Sequence, residues 1–154
     1  MKKGKVFWLV VILVLILDRI TKELAPGLPA EGLALIPGVV GLRYTENTGV
    51  AFSLLSGMPR LTGILGLAIV AGAFIWLRNK KIAPFPLAGL ALMAGGALGN
   101  MPDRLIRGFV PDMIETLFVR FPVFNIADSC LTVGCILMMI SLLCRPKDWA
   151  ETNS

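Results

Sequence analysis

The stretch VFNIADSCLTVGCILMMISLL, Val123–Leu143, decides how the rest of the chain is read. It matches the roughly 20 residues an α-helix needs to cross the hydrocarbon core of a bilayer. Its only charged residue is Asp128, close to the start. An ionisable group at membrane depth is costly and usually has a partner or a function. Asn125 and Asp128 are spaced i, i+3, which predicts one shared helix face, continued by Thr132. A helix N-terminus favours a negative charge by roughly 0.3–1 kcal/mol, so Asp128 could also do no more than charge or cap the helix start.

Three more apolar runs precede this one: Val6 to Ala25, Leu61 to Leu77 and Pro84 to Met101. Of the 154 residues 56% are hydrophobic and only 16% charged, against about 45–50% apolar for a soluble domain. The expectation is one integral-membrane domain, 1–154, α-helical with four transmembrane helices at 6–25, 61–77, 84–101 and 123–143. Basic residues orient the runs. Lys2, Lys3 and Lys5 precede the first, Arg78, Lys80 and Lys81 separate the second from the third, and Arg145 and Lys147 follow the fourth, against Asp148 and Glu151. Short loops rich in Lys and Arg stay cytoplasmic, which predicts both termini inside and the other two connections outside. The net charge of +5 therefore reads as topology rather than as a nucleic-acid surface. A cleavable signal peptide is the rival reading of the N-terminus, but Asp18 and Lys22 interrupt its expected cleavage region and three runs follow.

The first outer connection, about 26–60, is rich in Gly and Pro and carries the β-like runs Leu33–Ile36 and Val39–Tyr44. They predict a small hairpin or sheet lying on the membrane. The second, about 102–122, holds Asp103, Arg104, Arg107, Asp112, Glu115 and Arg120.

The chain contains no histidine, which removes the commonest general base and metal ligand. Chemistry, if any, falls to carboxylates. Asp112 lies in the apolar context Phe109-Val110-Pro111-Asp112-Met113-Ile114. By itself it reads as a loop aspartate after a proline turn. Its loop, however, starts and ends on adjacent spans, so folding back would bring it beside Asp128. Two carboxylates within hydrogen-bond reach share a proton and titrate as a unit. The ionised member can then activate water while the protonated member polarises a carbonyl. Such a pair needs neither metal nor cofactor, and none is expected.

Other polar residues have structural explanations beside functional ones. Asp18 and Lys22 are i, i+4 and could simply neutralise each other. Asn47-Thr48-Gly49-Val50-Ala51-Phe52 combines a bidentate amide with small residues that permit close backbone approach, or is a plain turn. Ala91, Gly95 and Gly99 recur every fourth residue, a helix-packing pattern. Pro102 disfavours helical geometry at Met101, so a kink or stop is expected there. Arg104 could take a phosphate, a carbonyl or a carboxylate, or pair on the surface with Asp103. Cys130, Cys135 and Cys144 cannot join within one continuous helix and lack zinc-like spacing; they read as apolar fillers.

Taken in order, Asp18-Arg19-Ile20-Thr21-Lys22, Asn47-Thr48-Gly49-Val50-Ala51-Phe52, Gly95-Gly96-Ala97-Leu98-Gly99-Asn100-Met101-Pro102-Asp103-Arg104, Val110-Pro111-Asp112 and Phe124-Asn125-Ile126-Ala127-Asp128 resemble the motifs of lipoprotein signal peptidase, or signal peptidase II. The resemblance implies a bacterial aspartic endopeptidase of the cytoplasmic membrane that cleaves diacylglyceryl-modified prolipoproteins just before the lipidated cysteine. It implies an extracytoplasmic β-cradle, a mobile periplasmic helix, an active site near the periplasmic face and inhibition by globomycin-type peptides. Residue by residue, it implies Asp112 and Asp128 as the catalytic dyad, Asn47, Gly49, Asn100, Arg104 and Asn125 as the groups around it, and Asp18 and Lys22 as a supporting pair. Pro102 departs from the pattern, standing where an aliphatic residue is expected. The expected partners are the prolipoprotein and membrane lipids, with no nucleic acid, and a monomer is expected.

Two non-enzymatic readings compete. A small transporter or proton-conducting protein would use Asp18, Lys22 and Asp128 as a relay and spread carboxylates through the membrane depth. A passive lipoprotein-binding scaffold would not need the carboxylates at all.

Overall fold

The computed structural model describes residues 3–49, 57–77 and 82–149. Among these, four long helices form the body: α1 (Lys3–Leu24), α2 (Pro59–Leu77), α3 (Pro84–Pro102) and α4 (Ile126–Cys144). The strands β1 (Leu33–Ile36), β2 (Val40–Asn47) and β3 (Val110–Thr116) form one antiparallel sheet in the order β1-β2-β3. The sheet meets the end of the bundle at which α4 starts.

The bundle is apolar outside and encloses a polar cluster. Leu13, Ile16 and Leu17 of α1, Ile69 of α2 and Ile136 and Leu143 of α4 are exposed, whereas Asp18, Lys22, Asn100, Asp103, Asn125 and Ser141 are buried. In water this would be an unstable arrangement; it suits a protein solvated by lipid. α4 is long and apolar enough to cross a membrane by itself.

Small residues let the helices close. A Cβ on Gly95 would meet Val14 Cβ at 2.8 Å, and one on Gly99 would meet Asp18 Oδ2 at 2.9 Å, so Gly95 and Gly99 face α1. A second stripe, Gly89 and Gly96, faces α4, where a Cβ on Gly96 would collide with the Ala127 carbonyl oxygen. With no side chain between them the backbones of α3 and α4 touch, as small residues permit in membrane helices.

The structure corrects three expectations. The chain does not leave helical geometry at Met101: α3 runs one residue further, to Pro102. Pro102 adopts helical angles (φ −60°, ψ −39°), and the chain continues through a π-helical turn, Asp103–Arg107, that ends at Gly108 in the left-handed region (φ 80°). Proline removes one hydrogen bond, and the wider π turn absorbs the loss. Asp112 does not lie in a loop: β3 pairs with β2, Thr45 opposite Asp112 and Asn47 opposite Val110. The last helix starts at Ile126 rather than Val123, because Phe124 pairs back onto Ile114 as an isolated bridge and Asn125 is extended (φ −124°, ψ −177°).

The first-connection hairpin forms as expected, with Leu33 opposite Leu42 and a bulge between Ala34 and Ile36. The expected periplasmic helix finds no counterpart in 102–122, which forms the π turn and β3; 50–56, with the Val50-Ala51-Phe52 part of its motif, lies outside the described residues. The orienting Arg78, Lys80 and Lys81 also lie outside them.

Candidate active site at the start of helix α4

The first free N–H groups of α4 organise the site. A helix start leaves such groups without intrahelical acceptors. Asn125 is the N-cap: its side chain accepts from the amide of Asp128 at 2.9 Å, and the Asp128 carboxylate reaches back to the amide of Asn125 at 3.4 Å. This reciprocal pair is a capping box with Asp in place of the usual Glu. The amide of Ala127 donates to Asp18 Oδ1 at 2.9 Å, so α1 completes the cap. Asn125 and Asp128 thus do not share a helical face. They cap one another, since Asn125 has left helical geometry.

Asn125 also joins the two aspartates. Its Nδ2 donates to Asp112 Oδ1 at 2.7 Å and to Asn100 Oδ1 at 3.1 Å. Asn100 Nδ2 donates to Asp128 Oδ1 at 2.7 Å. Asn47 Nδ2 donates to Asp112 Oδ2 at 2.8 Å, while Asn47 Oδ1 accepts from the Gly49 amide at 2.9 Å. Asn47 and Asp112 are diagonal neighbours across β2 and β3, close enough for side chains to meet. Both oxygens of Asp112 are therefore held by amide donors, and Asp112 is 1% exposed. Burial pushes its carboxyl up from 3.8 to about 6; the Asn47 hydrogen bond opposes this, and the charge of nearby Asp128 adds to it.

Beneath lies a buried cation. Lys22 Nζ is surrounded by Asp18 Oδ2 at 2.7 Å, Asn100 Oδ1 at 2.8 Å, Asp103 Oδ2 at 2.9 Å and the Gly99 carbonyl at 3.2 Å. Three ammonium hydrogens serve four acceptors. Orienting Asn100 Oδ1 toward Lys22 turns its Nδ2 toward Asp128, so the lysine fixes which way that amide points. The Asp18–Lys22 pair is not an isolated neutralisation, because Asp103 closes it into a triad. Asp103 pairs with Lys22 rather than with Arg104, and from the surface Arg107 Nε and Arg19 reach its Oδ1 at 3.6 and 3.7 Å. The sequence offers Asp103 only as a surface partner of Arg104; its buried role beside Lys22 has no local signal beyond the i, i+4 relation to Arg107.

Arg104 projects from the π turn. Gly63 of α2 admits that turn, since a Cβ there would meet Leu105 at 3.0 Å and Arg104 Cβ at 3.2 Å. Arg104 Nη2 reaches the Gly49 carbonyl at 3.5 Å, and its Nε is buried with no hydrogen-bond partner among the described residues. The three cysteines are free.

Fold and site together define a class: a helical membrane protein with two carboxylates, Asp112 buried and Asp128 half-buried, tied by amides at one end of its bundle. Comparison with known proteins narrows it. The family model of signal peptidase II matches residues 10–144. The chain is 39% identical over 147 residues to the lipoprotein signal peptidase of Streptococcus pneumoniae, covering 93% of this chain and 95% of that one. It is 42% identical over 143 residues to that of Syntrophomonas wolfei, covering 92% and 95%. Two solved bacterial membrane enzymes superpose with TM-scores of 0.85 and 0.81 at 31% and 33% identity, over 97% and 92% of this chain and 94% of each of theirs. The chain belongs to the signal peptidase II family and is a membrane peptidase.

Proposed function

We propose that this peptidase removes the signal peptide from diacylglyceryl-modified prolipoproteins, cutting just before the lipidated cysteine, with Asp112 and Asp128 as an aspartic dyad. The observation that carries the site assignment is Asn125, one residue bonded to both carboxylate-bearing side chains. With one proton shared by the pair, the ionised carboxylate takes a proton from water as the hydroxyl adds to the scissile carbonyl carbon. The protonated carboxyl gives its proton to the carbonyl oxygen. The tetrahedral intermediate then collapses: one of its hydroxyls returns a proton to the second carboxylate as the C=O re-forms, the C–N bond breaks, and the departing amine takes the proton that came from water, which restores the singly protonated pair. Asn47, Asn100 and Asn125 hold the carboxylates in place, and positioning of this kind supplies much of a peptidase's rate. Asp18 and Lys22 support them through Asn100 and the α4 cap. Arg104 offers a guanidinium N–H that has no partner among the described residues to a substrate carbonyl near Gly49.

In this reading α1 to α4 all cross the cytoplasmic membrane, both termini are cytoplasmic, and the sheet and dyad lie at the periplasmic face. There a lipid-anchored substrate presents its cleavage bond. The enzyme acts as a monomer, and globomycin-type peptides occupy the same site. The transporter reading loses support because no Asp, Glu, Lys or Arg lies between Lys5 and Asp18 or between Asp128 and Arg145. A proton relay through these helices would need such groups.

The test is Asp112→Asn and Asp128→Asn, separately, with cleavage of a lipidated precursor followed by gel shift. Each should lower turnover at least a thousandfold in an inserted, folded protein. Near-normal turnover in either would sink the dyad, and proton flux in liposomes would then favour the transporter.

A further inference from the structure

The loop between β3 and α4, residues 117–122, is apolar where a water-facing loop would be polar. Phe118 is 71% exposed, and Leu117, Val119 and Phe121 are also exposed. The loop is tied to the hairpin turn, the Leu117 amide donating to the Val39 carbonyl at 2.9 Å, so its apolar residues adjoin exposed Ile36 and Val39. It is also closed on the sheet: Phe124 bonds back to Ile114 of β3, and Phe121 stacks edge-on against Phe124 at 5.9 Å. These attachments hold the patch within a few residues of Ile126, where α4 begins its crossing. Among the apolar side chains stand two arginines. Arg43 is paired with Glu115 at 2.7 Å. Arg120 is exposed and has no ion pair among the described residues. Together with Glu115, Leu117 and Phe118 they line an open cavity of about 590 Å³.

We propose that this loop is a foot that rests in the phospholipid headgroup layer, Phe118 and its apolar neighbours entering the acyl boundary and Arg120 taking lipid phosphates. The bilayer is the partner that fits. The patch sits where a membrane span starts, and aromatic side chains beside a free cation are the composition of membrane-interface anchors. Asp112 lies on the strand that runs directly into the foot, so the foot sets the height of that carboxylate above the membrane. The inference rests on the membrane orientation given under the proposed function.

The test uses the full chain with Cys130, Cys135 and Cys144 changed to Ala and a nitroxide attached at position 118, in nanodiscs containing phosphatidylglycerol. Accessibility to oxygen and to a water-soluble nickel chelate reports depth. The label should be shielded from nickel relative to a free nitroxide in buffer, and less deep than a label at Val133 within α4. Arg120→Gln should shift the label toward water, read as a severalfold rise in the nickel-to-oxygen ratio, because the attraction of that basic residue to the anionic leaflet is lost. Free-solution accessibility at position 118, or no change with Arg120→Gln, would overturn the foot. Depth is read without substrate and should be unchanged by Asp112→Asn, so failure of the foot and failure of the dyad are told apart.

Discussion

Asp112 should make the protein less stable as pH rises, and Asp112→Asn should abolish that slope. The carboxyl is buried, and its pKa rises from an ordinary 3.8 to about 6. The folded state therefore binds the proton more tightly than the unfolded state does. Linkage gives the sign: between these values the folded state holds more protons, so stability falls with rising pH. The stabilisation by the proton is complete below about 3.8 and lost once pH has passed through about 6. At 1.36 kcal/mol per pH unit the whole effect is ~3 kcal/mol. Of this, roughly 2 kcal/mol should fall between pH 4.5 and 7.5 by the same linkage. The assay is equilibrium unfolding in mixed detergent micelles at several pH values, comparing the wild type with Asp112→Asn. The variant has its own penalty of about 1–3 kcal/mol, because its new NH2 group faces a donor, Asn47 or Asn125. That penalty does not depend on pH, so the difference in slope reports the Asp112 carboxyl together with its coupling to Asp128. Parallel slopes would refute the reasoning, since they would mean that Asp112 has a similar pKa folded and unfolded. The same burial places the limb of kcat/KM at which the free enzyme loses its last shared proton near pH 6.

Four further changes have expected outcomes. Lys22→Met leaves Asp18 and Asp103 buried without their cation and should cost about 3–5 kcal/mol in the same unfolding assay, with partial recovery when Asp103→Asn is added. Gly96→Ala should cost more than Gly99→Ala, because the first new methyl meets the backbone carbonyl of Ala127 whereas the second meets a side-chain oxygen of Asp18; overpacking of this kind costs roughly 1–3 kcal/mol. Gly99→Ala should also lower kcat for precursor cleavage, as it pushes Asp18 off the Ala127 amide. At the other end of α4, Ser141→Ala removes the acceptor of Trp149 Nε1 at 3.0 Å and should cost about 1 kcal/mol, with a shift in Trp149 fluorescence.

Much of the fold is legible in the residues because lipid solvation imposes long apolar runs. All four runs became helices, with ends displaced by up to three residues. The hairpin was legible too, from two short β-like runs, Leu33–Ile36 and Val39–Tyr44, in a connection rich in Gly and Pro. Strand β3 was not. Val110, Pro111, Asp112 and Met113 are all buried, so the period-two alternation that marks a half-exposed strand is missing, and proline argues against a strand. The helical placement of Asn125 erred for a different reason. Spacing of i, i+3 is shared by helix faces and capping boxes, and Asn-x-x-Asp before an apolar run is also the box signature. Asp103 stayed hidden because its partner, Lys22, comes from another helix, and no local pattern encodes that approach.

The cap on α4 explains why polar residues from so many elements converge. A helix start buried in a bundle must find acceptors for its free amides, since water is excluded there. Asp18 and Asn125 supply them. Asp18 in turn needs a cation, which is Lys22, and Lys22 needs further acceptors, which are Asp103 and Asn100. Asn100 completes its own requirements on Asp128, and Asn125 completes its on Asp112. Each link satisfies a buried group and leaves the next one oriented, so the two carboxylates end up fixed by the same bonds that hold α1, α3, α4 and the sheet together. A change anywhere along this chain of bonds therefore acts on stability and on the geometry of the carboxylates at once. The foot and the Ser141–Trp149 contact lie outside it and should change one without the other.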